Sequence, residues 1–349
     1  MIRILTYKEI DRGEWSRLVQ TSATGTWFQT PEAYEFFESM PELFAPYAFG
    51  VVSKPKSDLG LNNEETLRGV CVGYVTVERN PIKQYFTRRA IIIGGPALAD
   101  NCTDDEVNAL LCAVKSTLLL GRDGERLLSP IYIETRNFND YSRWKGAFEK
   151  AGFEYKKHLN FHVDCTDKEQ MWKRLSKTRQ KQIRRALRSG VEVVEPAEED
   201  VKRWYAILQE MYRQKVKLPL LPMDFFLNAY QSGNAKYLMV KYKGEVIGGL
   251  MFEMDEKSVY EWYVCGLDSV YERQYPSVVA TYAGMEYANA HGRRCCDLMG
   301  AGEPGVPYGV RDFKERFGGQ LVEHGRFVCV REPILYKIGT MAVKMIKGN

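Results

Sequence analysis

The sequence has no long apolar run and few of the residues on which metal sites depend. No stretch approaches the roughly 18–20 uninterrupted apolar residues that cross a bilayer, and residues 1–8 turn polar too soon for a secretory signal. The eight cysteines include no Cys-x-x-Cys pair, and there are four histidines. Only one group of these residues lies close together in sequence, namely His291, Cys295 and Cys296, so no metal site is predicted. Reduced thiols in a cytoplasm are expected.

Several familiar catalytic signatures are missing as well. The chain contains no Gly-x-Ser-x-Gly nucleophile elbow, no Gly-x-x-x-x-Gly-Lys-Ser/Thr phosphate loop and no Gly-x-Gly-x-x-Gly opening a helix after the first strand. The net charge of +4 is too small to demand a nucleic-acid partner. These absences disfavour serine hydrolases, P-loop nucleotide hydrolases and dinucleotide-dependent enzymes.

The chain is long enough for two domains, and its pattern repeats. Its 349 residues exceed one ordinary hydrophobic core. Both halves show the order strand, strand, strand, helix, strand, in residues 47–52, 69–77, 90–93, 104–119 and 131–134, and again in residues 237–242, 246–253, 259–264, 277–290 and 295–299. A polar segment, residues 53–65, separates the first two strands.

The closing segments of the halves match best. Residues 148–153 and residues 313–319 each read as a helix end capped by glycine, and two strands follow each of them. A duplicated α/β unit accounts for this order of elements. The predicted domains are residues 1–165 and residues 166–349, and the fold class is α/β (α+β) with a mixed sheet flanked by helices in each domain.

Residues 171–190 form the most unusual segment, a predicted basic helix that opens the second domain. It carries eight basic residues and no acidic residue. Most of them are compatible with a solvated helix face. Arg179 differs, because its spacing from Leu175 and Ile183 places it on the apolar stripe, where an arginine usually pairs with a carboxylate or a phosphate.

Residues 297–317 join a strand end to a helix through a glycine-rich loop. Ligands of α/β sheets gather at the C-terminal ends of strands, and glycines let the backbone approach a ligand closely. The loop also concentrates groups that bind or react, and these candidates are Asp297, Gly300, Glu303, Tyr308, Arg311 and Lys314.

Four stretches together resemble the Fem family of peptidoglycan-bridge aminoacyltransferases and the wider group that shares its doubled GNAT-like fold. They are residues 27–31, 178–186, 297–301 and 313–319, and their order covers nearly the whole chain. The last stretch, with its Phe-Lys-x-x-Phe pattern, is the most specific. Since no sustained heptads are present, the resemblance is to the compact members that lack a coiled-coil arm.

The resemblance implies two tandem GNAT-like domains and several roles for single residues. Lys314 falls on the lysine that stabilises charge during acyl transfer, which is physically sensible for a cation fixed at a developing oxyanion. Arg213 and Tyr263 fall on positions that contact a nucleotide-linked precursor. Arg179 and Arg184 of the basic helix would meet phosphates. The base stays open between Asp297, Glu303 and a carboxylate of the substrate.

The predicted reaction is attack by an amine of a peptidoglycan precursor, nucleotide- or lipid-linked, on an aminoacyl ester such as aminoacyl-tRNA. No cofactor is expected. CoA is a weaker candidate, because residues 273–280 place Ser277 and Val279 where glycines would cradle its pyrophosphate. Two rivals stay open: an N-acyltransferase of a sugar-nucleotide or polysaccharide precursor with a CoA or carrier-protein donor, and a non-catalytic duplicate that binds RNA or envelope molecules.

The C-terminal residues 333–347 are apolar with interspersed lysines. Packing against the body of the protein is the favoured interpretation, and contact with a membrane that carries lipid-linked substrate is the alternative. The expected location is the cytoplasm, with peripheral contact at the inner face of the membrane under the second interpretation. A monomer or weak oligomer is expected.

Overall fold

The computed structural model describes residues 2–54, 65–120 and 129–347, so most of the polar segment 53–65 lies outside the described residues. The strands within these ranges are β1 (Ile2–Thr6), β2 (Phe44–Ser53), β3 (Thr66–Thr76), β4 (Ala90–Gly94), β5 (Ala97–Leu98), β6 (Tyr132–Asn137), β7 (Glu154–Lys156), β8 (Leu159–Asp164), β9 (Val191–Val194), β10 (Lys236–Tyr242), β11 (Glu245–Met254), β12 (Ser258–Gly266), β13 (Cys295–Gly300), β14 (Gln320–Glu323) and β15 (Arg326–Val330). The α-helices are α1 (Arg12–Thr21), α2 (Pro31–Glu38), α3 (Pro81–Thr87), α4 (Asp104–Leu120), α5 (Lys145–Lys150), α6 (Lys168–Arg174), α7 (Lys177–Arg188), α8 (Glu198–Met211), α9 (Met223–Gln231), α10 (Pro276–Ala290), α11 (Gly309–Glu315) and α12 (Pro333–Lys347).

The chain forms two compact units, each built on one mixed sheet. Unit 1 comprises residues 1–157 and 324–345, and unit 2 is formed by residues 158–323 together with residues 346–349. The strand order is β1-β2-β3-β4-β6-β15-β7 in unit 1, where β5 also pairs with β3, and β14-β8-β13-β12-β11-β10-β9 in unit 2. Both sheets combine antiparallel pairs with one parallel pair, β4 with β6 and β12 with β13. The predicted α/β class with a mixed sheet in each half is confirmed.

The units divide the chain differently from the predicted boundary between residues 165 and 166. The reason is the pairing of two late strands. β8 pairs with β13 and β14 and so belongs to the sheet of unit 2, while β15 pairs with β6 and β7 and returns to the sheet of unit 1. Unit 1 is therefore discontinuous in sequence. The hydrophobic pattern reveals strands but does not say which sheet a strand joins.

Helices cover the apolar faces of both sheets. In unit 2, α10 packs on β11, β12 and β13, and its buried residues Val279 and Met285 join a core with Leu250 and Phe252. α8 packs on β10, β11 and β12. In unit 1, α4 packs on β2 and β3 over a separate core.

The predicted single helix 171–190 is wrong in one respect, because the structure divides it into α6 and α7. Ser176 interrupts it: its hydroxyl accepts a hydrogen bond from the Arg179 N–H, as an N-cap does, and its own N–H donates to the carbonyl of Arg316. α7 then ends before Gly190, which has a φ of +91°. The predicted buried stripe is retained, since Ile183 and Ala186 lie in the core.

The C-terminal segment forms α12, which packs only in part on unit 1. Tyr336 makes an edge-to-face contact with Tyr132, with ring centroids 5.1 Å apart. Ile334 and Met341 of the same helix are exposed to solvent. Among the helices of the described ranges, none combines the length and apolarity that a membrane span requires.

Candidate active site

The candidate site of unit 2 lies where two parallel strands diverge. The pairing of β12 with β13 joins residues 258–260 to residues 295–297. β12 then continues to Gly266 and β13 to Gly300. On its other side β12 is irregular, because its register with β11 shifts between Met251 and Phe252. The pairing of β12 with β13 ends after residues 260 and 297, and the unpaired stretch that follows is called the opening between β12 and β13.

Lys314 lies at this opening and is buried. Its side chain belongs to α11, is 8% exposed, and donates a hydrogen bond from Nζ to the Gly300 carbonyl at 3.0 Å. Burial lowers the pKa of Lys314, while the charges of Glu261 and Asp297 act in the opposite direction. A cation is costly in such surroundings unless anions offset it. The two carboxylates thus help to keep the ammonium group charged.

Glu261 is the second buried charge at the opening. Burial raises the pKa of Glu261 to about 7, although Lys314 and the Thr281 hydroxyl oppose the rise. Neither carboxylate oxygen of Glu261 forms a hydrogen bond of acceptable distance and angle with any described residue. An unsatisfied buried carboxylate is unfavourable for folding, and such groups concentrate at functional sites.

Asp297 links Lys314 to a histidine. Its Oδ1 accepts a hydrogen bond from the Met299 N–H at 2.6 Å, and its Oδ2 lies 3.3 Å from His162 Nε2. Burial lowers the pKa of His162, but the interaction with Asp297 outweighs it, so the pKa is raised above its usual value. The predicted candidate Asp297 is therefore an inner member of a charged cluster, with both oxygens engaged.

The glycine-rich loop is held by its own residues. Arg311 donates hydrogen bonds to the carbonyls of Ala301, at 2.9 Å, of Val306, at 3.0 Å, and of Glu303. Met299 has a φ of +63°, a left-handed conformation that a non-glycine residue rarely adopts. Arg311 is placed to fix the loop, and its predicted contact with substrate stays a prediction.

Arg179 fixes α11 from the other side. Its guanidinium carbon lies 4.4 Å from the centre of the Phe313 ring and 5.0 Å from that of Phe317. Nη2 donates to the Phe313 carbonyl at 3.2 Å, and Nη1 to Gln182 at 2.7 Å. Burial and then Arg316 lower the pKa of Arg179 to about 10. The carboxylate or phosphate partner expected for Arg179 is replaced by aromatic rings and a helix carbonyl, because the side chain packs inward.

Three tyrosines form a further group. The ring centroids of Tyr212 and Tyr263 lie 6.4 Å apart. Burial and then the proximity of Tyr308 raise the pKa of Tyr212 to about 12. The structure thus brings the predicted residues Tyr263 and Tyr308 close to Tyr212.

The remaining predicted residues lie on the surface. Arg213 is exposed and forms a two-point ion pair with Glu210, with contacts of 2.8 and 2.5 Å. Arg184 is exposed and lies over the Trp172 ring, 5.0 Å from its centre. The Glu303 side chain is exposed. Their roles toward substrate stay predictions.

Sequence reasoning missed Glu261 and His162. A signal for Glu261 exists, since an acidic residue stands between apolar and aromatic residues in the strand pattern of residues 259–264. His162 carries no local signal, because its partner Asp297 is far away in sequence. Within the part of the chain that the structure describes, no three metal-ligating side chains come together.

Comparisons with known proteins agree with this architecture. Residues 174–315 match the acetyltransferase (GNAT) domain family. No curated protein matches the sequence.

Several solved structures share the fold. FemX is 14% identical, with a TM-score of 0.69 over 96% of this chain and 99% of that one. A tandem GNAT protein from the clavulanic acid biosynthesis pathway is 10% identical, with a TM-score of 0.55 over 95% and 98% of the two chains. L-PGS from Bacillus licheniformis is 11% identical, with a TM-score of 0.54 over 97% and 98%.

At such low identity the structural similarity establishes the fold alone. The domain match supports an acyltransferase of GNAT type. The chain has the doubled fold of FemX and of tandem GNAT proteins, and its residues 174–315 match the acetyltransferase (GNAT) domain family.

Proposed function

We propose that this protein forms an amide bond between an aminoacyl group, carried as an ester such as aminoacyl-tRNA, and an amine of a peptidoglycan precursor or related cell-envelope molecule. The amine nitrogen attacks the ester carbonyl carbon, and a tetrahedral oxyanion forms. Collapse of this intermediate breaks the C–O bond to the donor. The amine loses one proton, and the departing oxygen gains one.

The observation that carries the proposal is the buried Lys314 ammonium group at the opening between β12 and β13. It is held by the Gly300 carbonyl and by the fields of Glu261 and Asp297. A cation fixed in a dry site stabilises a developing oxyanion without reorganisation, an effect of several kcal/mol. Lys314 is therefore assigned to the oxyanion.

The proton of the attacking amine passes to a carboxylate in this proposal. Asp297 and Glu303 are the candidates from the sequence, and a carboxylate of the substrate is a third. The structure adds Glu261, since a pKa of about 7 suits a group that takes up a proton at neutral pH. Asp297 is less suited, because the Met299 N–H and His162 already engage its oxygens.

The N-terminus of α10 supports a donor other than CoA. In a CoA-binding GNAT domain a glycine-rich turn before such a helix would cradle the pyrophosphate. Here the Asp268 carboxylate accepts hydrogen bonds from the Ser277 N–H, at 3.2 Å, and from the Ser277 hydroxyl. A carboxylate in this position occupies an N–H group and repels a phosphate. An aminoacyl-tRNA donor needs no pyrophosphate cradle.

The outer surface of α7 suits the phosphates of an RNA donor. Lys181, Arg184, Arg185 and Arg188 line an open depression of about 490 Å³. Cations near a helix C-terminus are favoured in any case, but four around one depression also fit a phosphate backbone. This assigns phosphate contact to the exposed face of α7 instead of the inward-facing Arg179.

The test is a transfer assay with a pool of charged tRNAs and with nucleotide-linked muropeptides that carry a free amine, read by product mass. Lys314→Met should lower turnover by about 10²–10³-fold while the protein stays folded. Lys168→Met is the matched control, because Lys168 lies on the surface of the same unit in an ion pair with Glu286. Unchanged turnover by Lys314→Met would remove this residue from the mechanism.

The second candidate function is CoA-dependent N-acylation, which the match to the acetyltransferase domain favours. The same assay with acetyl-CoA as donor separates the two. Transfer from acetyl-CoA, together with tight CoA binding that Asp268→Ala strengthens, would support the CoA-dependent reaction. Transfer only from charged tRNA would support the proposed one.

A further inference from the structure

α12 presents a continuous apolar stripe to solvent. Its members recur at intervals of four, three and four residues, the spacing that places side chains on one face of a helix. They are Ile334, 76% exposed, Ile338, Met341 and Met345, 73% exposed. Tyr336 points to the opposite side, where it contacts Tyr132. The helix therefore attaches to unit 1 by one face and leaves its most apolar face uncovered.

α3 exposes a second apolar group. Ile82 is 72% exposed, and Tyr85 and Phe86 are each more than half exposed. The rings of Tyr85 and Phe86 pack edge to face with centroids 5.1 Å apart. These residues follow one another at intervals of three and one, so they share one side of this short helix.

The two groups lie at the same end of the unit 1 sheet. α3 connects β3 to its antiparallel neighbour β4, so it lies where β4 begins. β6 runs parallel to β4 and so begins at the same end of the sheet. Because β15 runs antiparallel to β6, β15 ends there, and α12 begins at the same end as α3. Ile131 joins them directly: its N–H donates to the Arg88 carbonyl at 3.0 Å, and its carbonyl accepts from the Arg331 N–H at 2.9 Å.

Both helical segments are rich in basic residues. Residues 79–89 contain four basic residues and no acidic one, and residues 333–347 contain three lysines and no acidic one. The Arg88 guanidinium lies over the Tyr85 ring, 4.8 Å from its centre. Glu332, just before α12, lies 3.9 Å from Arg331. This end of the sheet thus combines exposed apolar and aromatic side chains with an excess of positive charge.

We propose that the end of unit 1 formed by α3 and α12 binds the surface of an anionic lipid bilayer. An amphipathic helix with basic residues beside its apolar face lies in the interface, where its apolar side enters the acyl boundary and its cations meet lipid phosphates. Aromatic residues such as Tyr85 and Phe86 also suit that depth. A second copy of the chain is a poorer occupant, because its own cations would meet these cations at close range.

This inference is independent of the proposed transfer reaction, so it is tested on the intact protein by sedimentation with lipid vesicles. Vesicles of phosphatidylcholine alone are compared with vesicles that also contain phosphatidylglycerol. The wild-type protein should sediment with the anionic vesicles and far less with the neutral ones. Ile338→Ser combined with Met341→Ser should weaken this binding by about tenfold or more, since each change removes apolar area from the interface. Tyr85→Ser combined with Phe86→Ser should act in the same direction.

The matched control is Val270→Ser combined with Leu321→Ser, which removes two exposed apolar residues from unit 2. It should bind vesicles as the wild type does, and circular dichroism should show that all variants are folded. Three results would overturn the proposal. They are a wild-type protein that stays in the supernatant, equal binding to both kinds of vesicle, and a wild-type dimer that the α12 variant dissociates while vesicle binding is absent.

Discussion

The two units differ at the positions that form the candidate site of unit 2. Strand pairing aligns them: Glu134 of β6 faces Ile91 and Val328, as Asp297 of β13 faces Tyr260 and His162. Glu134 is thus the equivalent of Asp297. β4 is the parallel neighbour of β6, and β12 is the parallel neighbour of β13. One residue further along these neighbours stand Ile92 in unit 1 and Glu261 in unit 2, which form a second equivalent pair.

The helix ends give a third pair. Gly152 and Gly318 both have positive φ and both lie two residues before the strand that follows, β7 or β14. Counting back four residues places Phe148 opposite Lys314.

Unit 1 therefore carries Ile92 and Phe148 where unit 2 carries Glu261 and Lys314. Phe148 is fully buried and stacks on Phe327, with centroids 4.0 Å apart. Glu134 stays ionised and is paired with two arginines. The charges of Arg136 and Arg326 outweigh the effect of burial and lower the pKa of Glu134 to about 2. One copy thus uses these positions for packing and internal ion pairs, and the other retains buried charges that are not fully satisfied.

Placing a lysine in the core of unit 1, at the position equivalent to Lys314, should have the largest effect on stability. Phe148→Lys would put a cation into a core that offers Ile92 in place of a carboxylate, with Glu134 already engaged by two arginines. We expect a loss of about 5 kcal/mol in the free energy of unfolding. Urea unfolding followed by circular dichroism measures it. A variant as stable as the wild type would show that position 148 tolerates charge as position 314 does.

Removing the ion-paired carboxylate of Glu134 should reduce the free energy of unfolding by less than Phe148→Lys does, and this reduction should depend on pH. The pKa of Glu134 falls from an ordinary 4.5 to about 2, so its contribution is present above pH 4.5 and is lost as pH falls toward 2. Glu134→Gln should therefore lower the free energy of unfolding by about 3 kcal/mol at neutral pH. The difference from wild type should shrink at acid pH. A difference independent of pH would rule out the assigned ion pairs.

The carboxylate of the candidate site should show the opposite dependence. The pKa of Glu261 rises from an ordinary 4.5 to about 7, so the wild type should lose stability as pH rises through this range. Glu261→Gln should remove that loss and be about 2–3 kcal/mol more stable than wild type above pH 7. Denaturant unfolding at a series of pH values tests it. Equal stabilities at every pH would show that Glu261 is not destabilised by burial.

Much of the fold follows from local sequence patterns. The ten predicted strands and helices of the repeat correspond to β2, β3, β4, α4, β6, β10, β11, β12, α10 and β13. Alternating apolar residues and glycine caps act over a few residues, so they can be recognised without tertiary information. The sequence also names Lys314 as a candidate, from its place beside a glycine-rich loop and from a resemblance to a known motif.

The partners of these residues could not be predicted. Arg179 was placed on the buried stripe correctly, but its contact with Phe313 and Phe317 depends on α11, which lies far along the chain. The His162–Asp297 contact depends on β8 joining the sheet of unit 2. Both require strands and helices distant in sequence to meet, and spacing within a segment carries no information about that.

By itself the sequence determined two copies of an α/β unit and named Lys314 as a candidate residue, because both depend on neighbours along the chain. Only the tertiary structure decided that β8 and β15 join the sheets they do, that Glu261 lies beside Lys314, and that the apolar face of α12 stays exposed. Those features are set by pairing and burial between distant segments. Burial also separates the charged side chains enclosed within a unit from those that stay solvated at the surface.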